Sequence, residues 1–166
     1  MSDLVIRPYA EGDAPSVIAL ILPIQQAEFG IAITAADQPD LAAIPAFYQS
    51  GAGDFLVAEQ GGALVGTIGL KDIGNRQGAL RKMFVSAAHR GGRPGVAAAL
   101  LGALLERART AGLAEIYLGT TEKFLAAHRF YEKHGFSAVP PGALPPAFPR
   151  MAVDTRFYRL ALGAGG

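Results

Sequence analysis

A run of glycines between arginines, Arg90-Gly91-Gly92-Arg93-Pro94-Gly95, opens directly onto the apolar stretch Val96-Ala97-Ala98-Ala99-Leu100-Leu101. Few features narrow the choice of fold as much. Leu80 to Val85, ahead of the turn, has the composition of a strand, and Val96, Ala97, Leu100, Leu101, Leu104 and Ala108 recur after it at helical spacing. The unit reads strand, tight turn, helix. The first N–H groups of a helix have no partner within it and carry a partial positive charge. Glycines at that point let an anion such as a phosphate approach the backbone closely. Pro94 suits the first helical turn and Gly112 the position just past the last.

At 166 residues, 51% of them apolar, the chain is expected to form one domain over 1–166, with Gly163 to Gly166 a flexible tail. The formal charge is only +1, so no global field is available to hold nucleic acid or an anionic membrane, and any anion site must be local. Cysteine is absent, which removes disulfides, thiolate metal sites and a cysteine nucleophile together. No His/Asp/Glu cluster has metal-ligand spacing, so no metal is expected. Neither GxSxG nor GxxxxGK[ST] occurs, and hydrolase and nucleotidase readings fall. A dinucleotide-binding domain would need GxGxxG after its first strand and an acid after its second, and both are missing. Met1 to Pro8 lacks a basic region followed by an apolar one, and the uncharged stretch Ala14 to Ala27 is too short to span a bilayer and is interrupted by Pro15 and Pro23. A soluble, cytoplasmic protein is expected, with no membrane and no nucleic acid among its partners.

Along the chain, Leu4, Ile6 and Tyr9 predict a short strand ended by Pro8, and Asp13 an N-cap for a helix over Ala14 to Phe29 that kinks or breaks at Pro23. A second helix is predicted over Pro39 to Gln49, with Asp37 as its cap and Gly51-Ala52-Gly53 ending it. Phe55 to Glu59, the turn Gln60-Gly61-Gly62, and Ala63 to Leu70 predict a β-hairpin, and Gln77 to Val85 a further strand. Ile116 to Leu118 reads as a short strand and Glu122 to His134 as a helix stopped by Gly135, with Phe136 as apolar anchor. Five prolines between 140 and 149 argue against regular structure there, and Met151 to Leu162 reads as a final strand.

The succession of strand, phosphate-type turn, helix, strand, and a helix ending in Phe130-Tyr131-Glu132-Lys133-His134-Gly135-Phe136 resembles the GCN5-related N-acetyltransferase (GNAT) superfamily over most of the chain. Arg90-Gly91 supplies the start of that family's pyrophosphate motif and Gly95-Val96-Ala97 its last half. Gly92, Arg93 and Pro94 lengthen the turn by two relative to the commoner RGxGxG form. The resemblance implies an α/β fold: a central twisted, mostly antiparallel sheet with a splayed pair of parallel strands and helices on both faces. It further implies acetyl-CoA as cosubstrate. The backbone of Met83, Phe84 and Val85 would pair with the pantetheine amides, and the N–H groups of Arg90, Gly91, Gly92, Gly95, Val96 and Ala97 would hold the pyrophosphate, reinforced by the charges of Arg90 and Arg93. Phe124 stands where an asparagine often opens the second helix, leaving Thr120 or Thr121 to bond the cofactor arm. A homodimer is a further expectation, since dimers are common in the family.

Acetyl transfer needs a neutral amine, a polarised thioester carbonyl and a proton for the departing thiolate. Tyr131, at the family's tyrosine position, is the candidate acid: a phenol of pKa roughly 10 facing a thiolate near about 8.5. His128, one helical turn earlier, shares its face and is expected to line the cleft. The N–H of Phe84 or Val85 is the expected donor to the carbonyl oxygen. Leu80-Arg81-Lys82-Met83 offers no carboxylate base, which leaves Glu28, Glu59, Asp72, Glu122 or a water chain. Arg81 and Lys82 are expected to face opposite sides of their strand, so that they do not converge on one anion. The resulting reading is an N-acetyltransferase acting on a primary amine, small molecule or peptide, by direct attack in a ternary complex. A non-catalytic module that holds CoA or acyl-CoA as a sensor is the second reading. The acceptor site is expected to be shaped by Ala14 to Gln49 and by the proline-rich loop.

Overall fold

The computed structural model of the chain describes residues 4–28, 30–90, 95–121, 125–150 and 154–162. Its centre is a sheet built from β1 (Leu4–Pro8), β2 (Asp54–Gln60), β3 (Ala63–Asp72), β4 (Gln77–Val85), β5 (Glu115–Thr120), β6 (Ser137–Val139) and β7 (Arg156–Ala161), in the order β1-β2-β3-β4-β5-β7-β6. Every neighbouring pair is antiparallel except β4 with β5. This is the mixed sheet expected from the sequence, and the hairpin β2–β3 and strand β4 fall where its alternation put them.

Alternation along the strands divides the core between two faces. On β2, Leu56 and Ala58 turn to the side covered by α3 (Val96–Thr110) and α4 (Leu125–Lys133), together with Leu80, Ile116, Leu118 and Tyr158. Phe55 and Val57 turn the other way, onto α1 (Ala14–Pro23) and the single turn α2 (Ile44–Phe47), where Val17, Ile21, Leu41, Ile44 and Tyr48 meet them. On α3, Val96, Leu100, Leu101, Leu104 and Ala108 form the predicted buried stripe. Each such leucine contributes about 1.5–3 kcal/mol relative to leaving it in water. Gly112, at φ 89°, ends this helix, and Leu113 N–H returns to the Ala108 carbonyl at 3.0 Å; Gly135, at φ 96°, and Phe136 N–H to Tyr131 O at 3.0 Å repeat the device after α4.

Several sequence expectations are corrected. The helix from Ala14 does break at Pro23, but the chain continues as a wider π-turn over Ile24–Glu28, because proline cannot supply the next hydrogen bond and the extra residue absorbs the slip. The expected helix over Pro39 to Gln49 is two pieces, a 3₁₀ turn at Pro39–Ala42 and α2, parted at Ala43 (φ −138°), since in a continuous helix Pro45 would have no N–H to donate and its ring would crowd the Leu41 carbonyl. Asp13 does not cap α1 with its side chain. Its carboxylate instead takes Ala10 N–H at 2.8 Å and the Arg7 guanidinium at 2.7 and 2.9 Å. Asp37 bonds Thr34 rather than capping α2. The proline-rich loop holds one 3₁₀ turn, Pro141–Ala143. Strand β7 starts at Arg156, leaving Asp154 and Thr155 outside it, and β6 is a three-residue partner too short to show a period in the sequence.

Candidate active site between β4 and β5

Parallel pairing between β4 and β5 runs only from Gln77↔Glu115 to Ala79↔Tyr117. Beyond Ala79 the two strands diverge. The bend is built into β4: its register with β3 slips between Thr67 and Gly69, and Lys82 sits at φ 55°, a left-handed conformation costly for a residue with a Cβ. A buried bond from Thr67 Oγ1 to the Lys82 carbonyl, 2.7 Å, holds the kink. The divergence opens a cavity of about 120 Å³, bordered by Leu80, Arg81, Lys82 and Phe84 of β4, Gly119, Thr120 and Thr121 at the end of β5, and Gln25, Ile31, Ile33, Phe148, Pro149 and Asp154 from the flanking segments. The splayed parallel pair expected from the sequence is therefore present, with a hole at the splay.

Beneath the cavity lies a chain of buried polar groups. The side-chain amides of Gln25 and Gln38 bond each other reciprocally, 2.9 Å each way. Lys82 Nζ donates to Gln38 Oε1 at 2.6 Å and lies 3.5 Å from Asp40 Oδ2, which also accepts the Tyr48 hydroxyl at 2.5 Å. Burial pushes the Lys82 ammonium below the usual lysine range while Asp40 opposes that, and burial holds the Tyr48 phenol above its ordinary range. The π-turn brings Gln25 to this place, and the 3₁₀ turn brings Gln38 and Asp40.

Helix α3 begins beside the same strand end. Its first turn packs on β3 so closely that a Cβ on Gly66 would meet Val96 Cγ1 at 3.1 Å and the Phe84 carbonyl at 3.3 Å. Gly95 is its N-cap in extended backbone, and the carbonyl of Gly95 accepts from Ala99 N–H at 3.0 Å, which leaves the amides of Val96 and Ala97 without intrahelical partners. Arg90 is tied back to β4, Nε donating to the Val85 carbonyl at 2.9 Å. Gly91, Gly92 and Arg93 lie outside the described residues. Met83, Phe84 and Val85 form the end of β4, and Phe84 borders the cavity.

Tyr131 is buried on α4, edge-on to Phe130 and Phe136 and 6.2 Å from the Tyr158 ring. Burial alone holds its phenol above the ordinary range, and among the described residues its hydroxyl has no hydrogen-bond partner. Neither Tyr131 nor His128 is on the cavity wall; His128 Nε2 donates to the carbonyl of Thr121, which is, at 2.9 Å. Thr121 and Thr120 both border the cavity. Of the carboxylates weighed as a base, Glu59 is engaged by Arg7 on β1, and Asp72 accepts from Ala52 N–H and Gly74 N–H at 2.9 Å each, at the far end of β3. Glu122 and the side chain of Glu28 lie outside the described residues.

Sequence reasoning missed the Lys82–Asp40–Tyr48 chain, the Gln25–Gln38 pair, and Asp154. Arg81 and Lys82, expected on opposite faces, both border the cavity, because the left-handed residue breaks the alternation. Asp154 was hidden within an apparent strand. Only an aspartate between Pro39 and Leu41, in a segment otherwise apolar, hinted at a buried charge.

Residues 19–136 match the family model described as Acetyltransferase (GNAT) family, and the chain belongs to that family. An acetyltransferase of the GNAT family from Staphylococcus aureus Mu50 superposes with a TM-score of 0.93 at 37% identity, covering 97% of this chain and 100% of that one. An acetyltransferase from Streptococcus agalactiae 2603 superposes with 0.90 at 28%, covering 95% and 98%. The PaiA N-acetyltransferase of Thermoplasma acidophilum, solved in complex with coenzyme A, shares the fold at 17% identity with a TM-score of 0.72, covering 96% and 99%. Among curated relatives, N-acetyltransferase family 8 member 2 of Rattus norvegicus is 36% identical over 104 residues, 60% of this chain and 45% of its own length. The chain thus spans about half the length of the curated relatives it matches. Among the described residues, no helix is long and apolar enough to cross a membrane.

Proposed function

We propose that the protein transfers the acetyl group of acetyl-CoA to a primary amine by direct attack within a ternary complex. One observation carries the reading: the cavity opens where β4 leaves β5, and the start of α3 lies beside the same strand end. The donor set fits the cosubstrate, since the amides of Val96 and Ala97 suit a pyrophosphate and the end of β4 offers strand-edge backbone to the pantetheine amides. Bound there, acetyl-CoA would supply the thioester to be cleaved.

The residues of the chain then divide the work. The backbone N–H of Phe84 or Val85 receives the developing negative charge of the carbonyl oxygen. As the amine nitrogen forms its bond to the carbonyl carbon and the C–S bond breaks, Tyr131 gives its proton to the leaving sulfur and is later reprotonated by the proton the amine sheds. The apolar surroundings that raise the Tyr131 pKa also raise that of a thiolate beside it, so the transfer stays close to balanced. No cysteine is available for an acetyl-enzyme.

Incubation of the protein with acetyl-CoA and a panel of primary amines, with free thiol measured, tests the reading. Acceptor-dependent thiol release supports it. Tight acetyl-CoA binding in calorimetry with no release for any amine would replace it with a sensor of the same fold.

A further inference from the structure

Among the described residues, three charged side chains border the cavity, Arg81, Lys82 and Asp154, and each is already engaged within the chain. Lys82 Nζ donates to Gln38 Oε1 at 2.6 Å and lies 3.5 Å from Asp40 Oδ2, and the Asp154 carboxylate also acts on its charge. The Arg81 guanidinium lies over the Phe47 ring, 5.4 Å from its centre. Two cations thus stand against two carboxylates, Asp40 and Asp154, and this wall holds no surplus of either sign. The Gln25 amide, also on the wall, is committed to Gln38. Most of what remains is apolar: Ile31, Ile33, Leu80, Phe84, Phe148 and Pro149. The space measures about 120 Å³, well under the roughly 300 Å³ at which pockets for drug-sized ligands begin.

A molecule that carries an unmatched charge into such a space gives up its water and gains no partner. An ammonium escapes that cost by shedding its proton, and an apolar enclosure favours the neutral form. A carboxylate has no such escape near neutral pH, and a diamine must shed two protons. Resting on the acetyl-transfer reading, we infer that the acceptor is a small monoamine on an uncharged apolar skeleton, an alkylamine or arylalkylamine, whose body lies against Ile31, Ile33, Phe84 and Phe148 and whose nitrogen arrives as the free amine. The lack of a carboxylate base in the Leu80 to Met83 segment is then no deficiency, because the ammonium proton is left in water before the amine enters.

The test compares two pairs of amines, 2-phenylethylamine against L-phenylalanine and n-butylamine against 1,4-diaminobutane. Within each pair the skeleton is shared and the second compound adds one charged group. Thiol release in the presence of acetyl-CoA gives kcat/KM, and calorimetry with CoA present gives affinity. Each monoamine is expected to exceed its charged counterpart at least tenfold in both, a scale of about 1.4 kcal/mol. Charged members that bind as tightly as the monoamines, or monoamines that do not bind, would overturn the inference. Binding and turnover fail separately: a monoamine preference in calorimetry with no thiol release would leave the occupant standing and remove acetyl transfer, whereas thiol release from the charged members at equal or higher kcat/KM would keep acetyl transfer and remove the inference.

Discussion

The hydroxyl of Thr67 donates to the carbonyl oxygen of Lys82 at 2.7 Å, across the slip in register between β3 and β4. Lys82 occupies a left-handed conformation that β-strand pairing alone would not hold, and this buried bond is the local contact that secures it. Thr67→Val keeps the shape and removes the donor, leaving a buried carbonyl short of its partner. A loss of about 1–3 kcal/mol in urea unfolding is expected. A change below about 0.5 kcal/mol would show that the kink is held by other means.

Tyr131→Phe removes a hydroxyl that has no hydrogen-bond partner among the described residues, so thermal stability should hardly move. Turnover should fall by about a hundredfold or more, the range of a lost general acid, while acetyl-CoA affinity in calorimetry stays within a factor of about two. Because burial raises this phenol, it stays protonated through the neutral range, and kcat should show no basic limb from it below about pH 10. Equal losses in turnover and affinity would remove its role as acid.

Gly95→Glu places a carboxylate at the N-cap of α3, where the pyrophosphate of the cosubstrate is proposed to sit. The added charge suits a helix start, so the fold should not suffer. Acetyl-CoA affinity should drop at least tenfold in calorimetry, a scale of about 1.4 kcal/mol. Unchanged affinity would move the phosphate site elsewhere.

Arg7 on β1 donates to Asp13 at 2.7 and 2.9 Å, and this bond, ahead of the smaller backbone bond from Ala10, holds the Asp13 carboxyl below the usual aspartate range. A carboxylate lowered in the folded state adds stability that is present above its unfolded value of about 3.9 and disappears as pH falls through the folded value. The pair is partly exposed, so Arg7→Met should cost about 0.2–1 kcal/mol at pH 7. Urea midpoints of the two proteins should converge as the pH is lowered from about 4 toward 2. A gap that persists at low pH would assign the effect to packing of the arginine stem.

The sheet and its two faces were legible because burial on one side of a strand or helix leaves a period in the sequence, as in Phe55 to Ala58 and Val96 to Ala108. The family resemblance was legible because its turn and the Phe130 to Phe136 helix end are local signals. The polar floor of the cavity was not. Gln25 reaches it only through a π-turn after Pro23, Asp40 only through a 3₁₀ turn that Ala43 parts from α2, and Lys82 only through a kink that cancels the alternation used to read β4. Each is a departure from regular geometry, and sequence periodicity is silent about departures.

The short ladder between β4 and β5 has a mechanical consequence. Within the sheet, the leaf formed by β1 to β4 and the leaf formed by β5, β7 and β6 are stitched together by three residue pairs, from Gln77 with Glu115 to Ala79 with Tyr117. Anything laid along the open part of that seam fastens both leaves at once. Occupancy should therefore tighten the whole sheet, and the melting temperature should climb with the concentration of the guest.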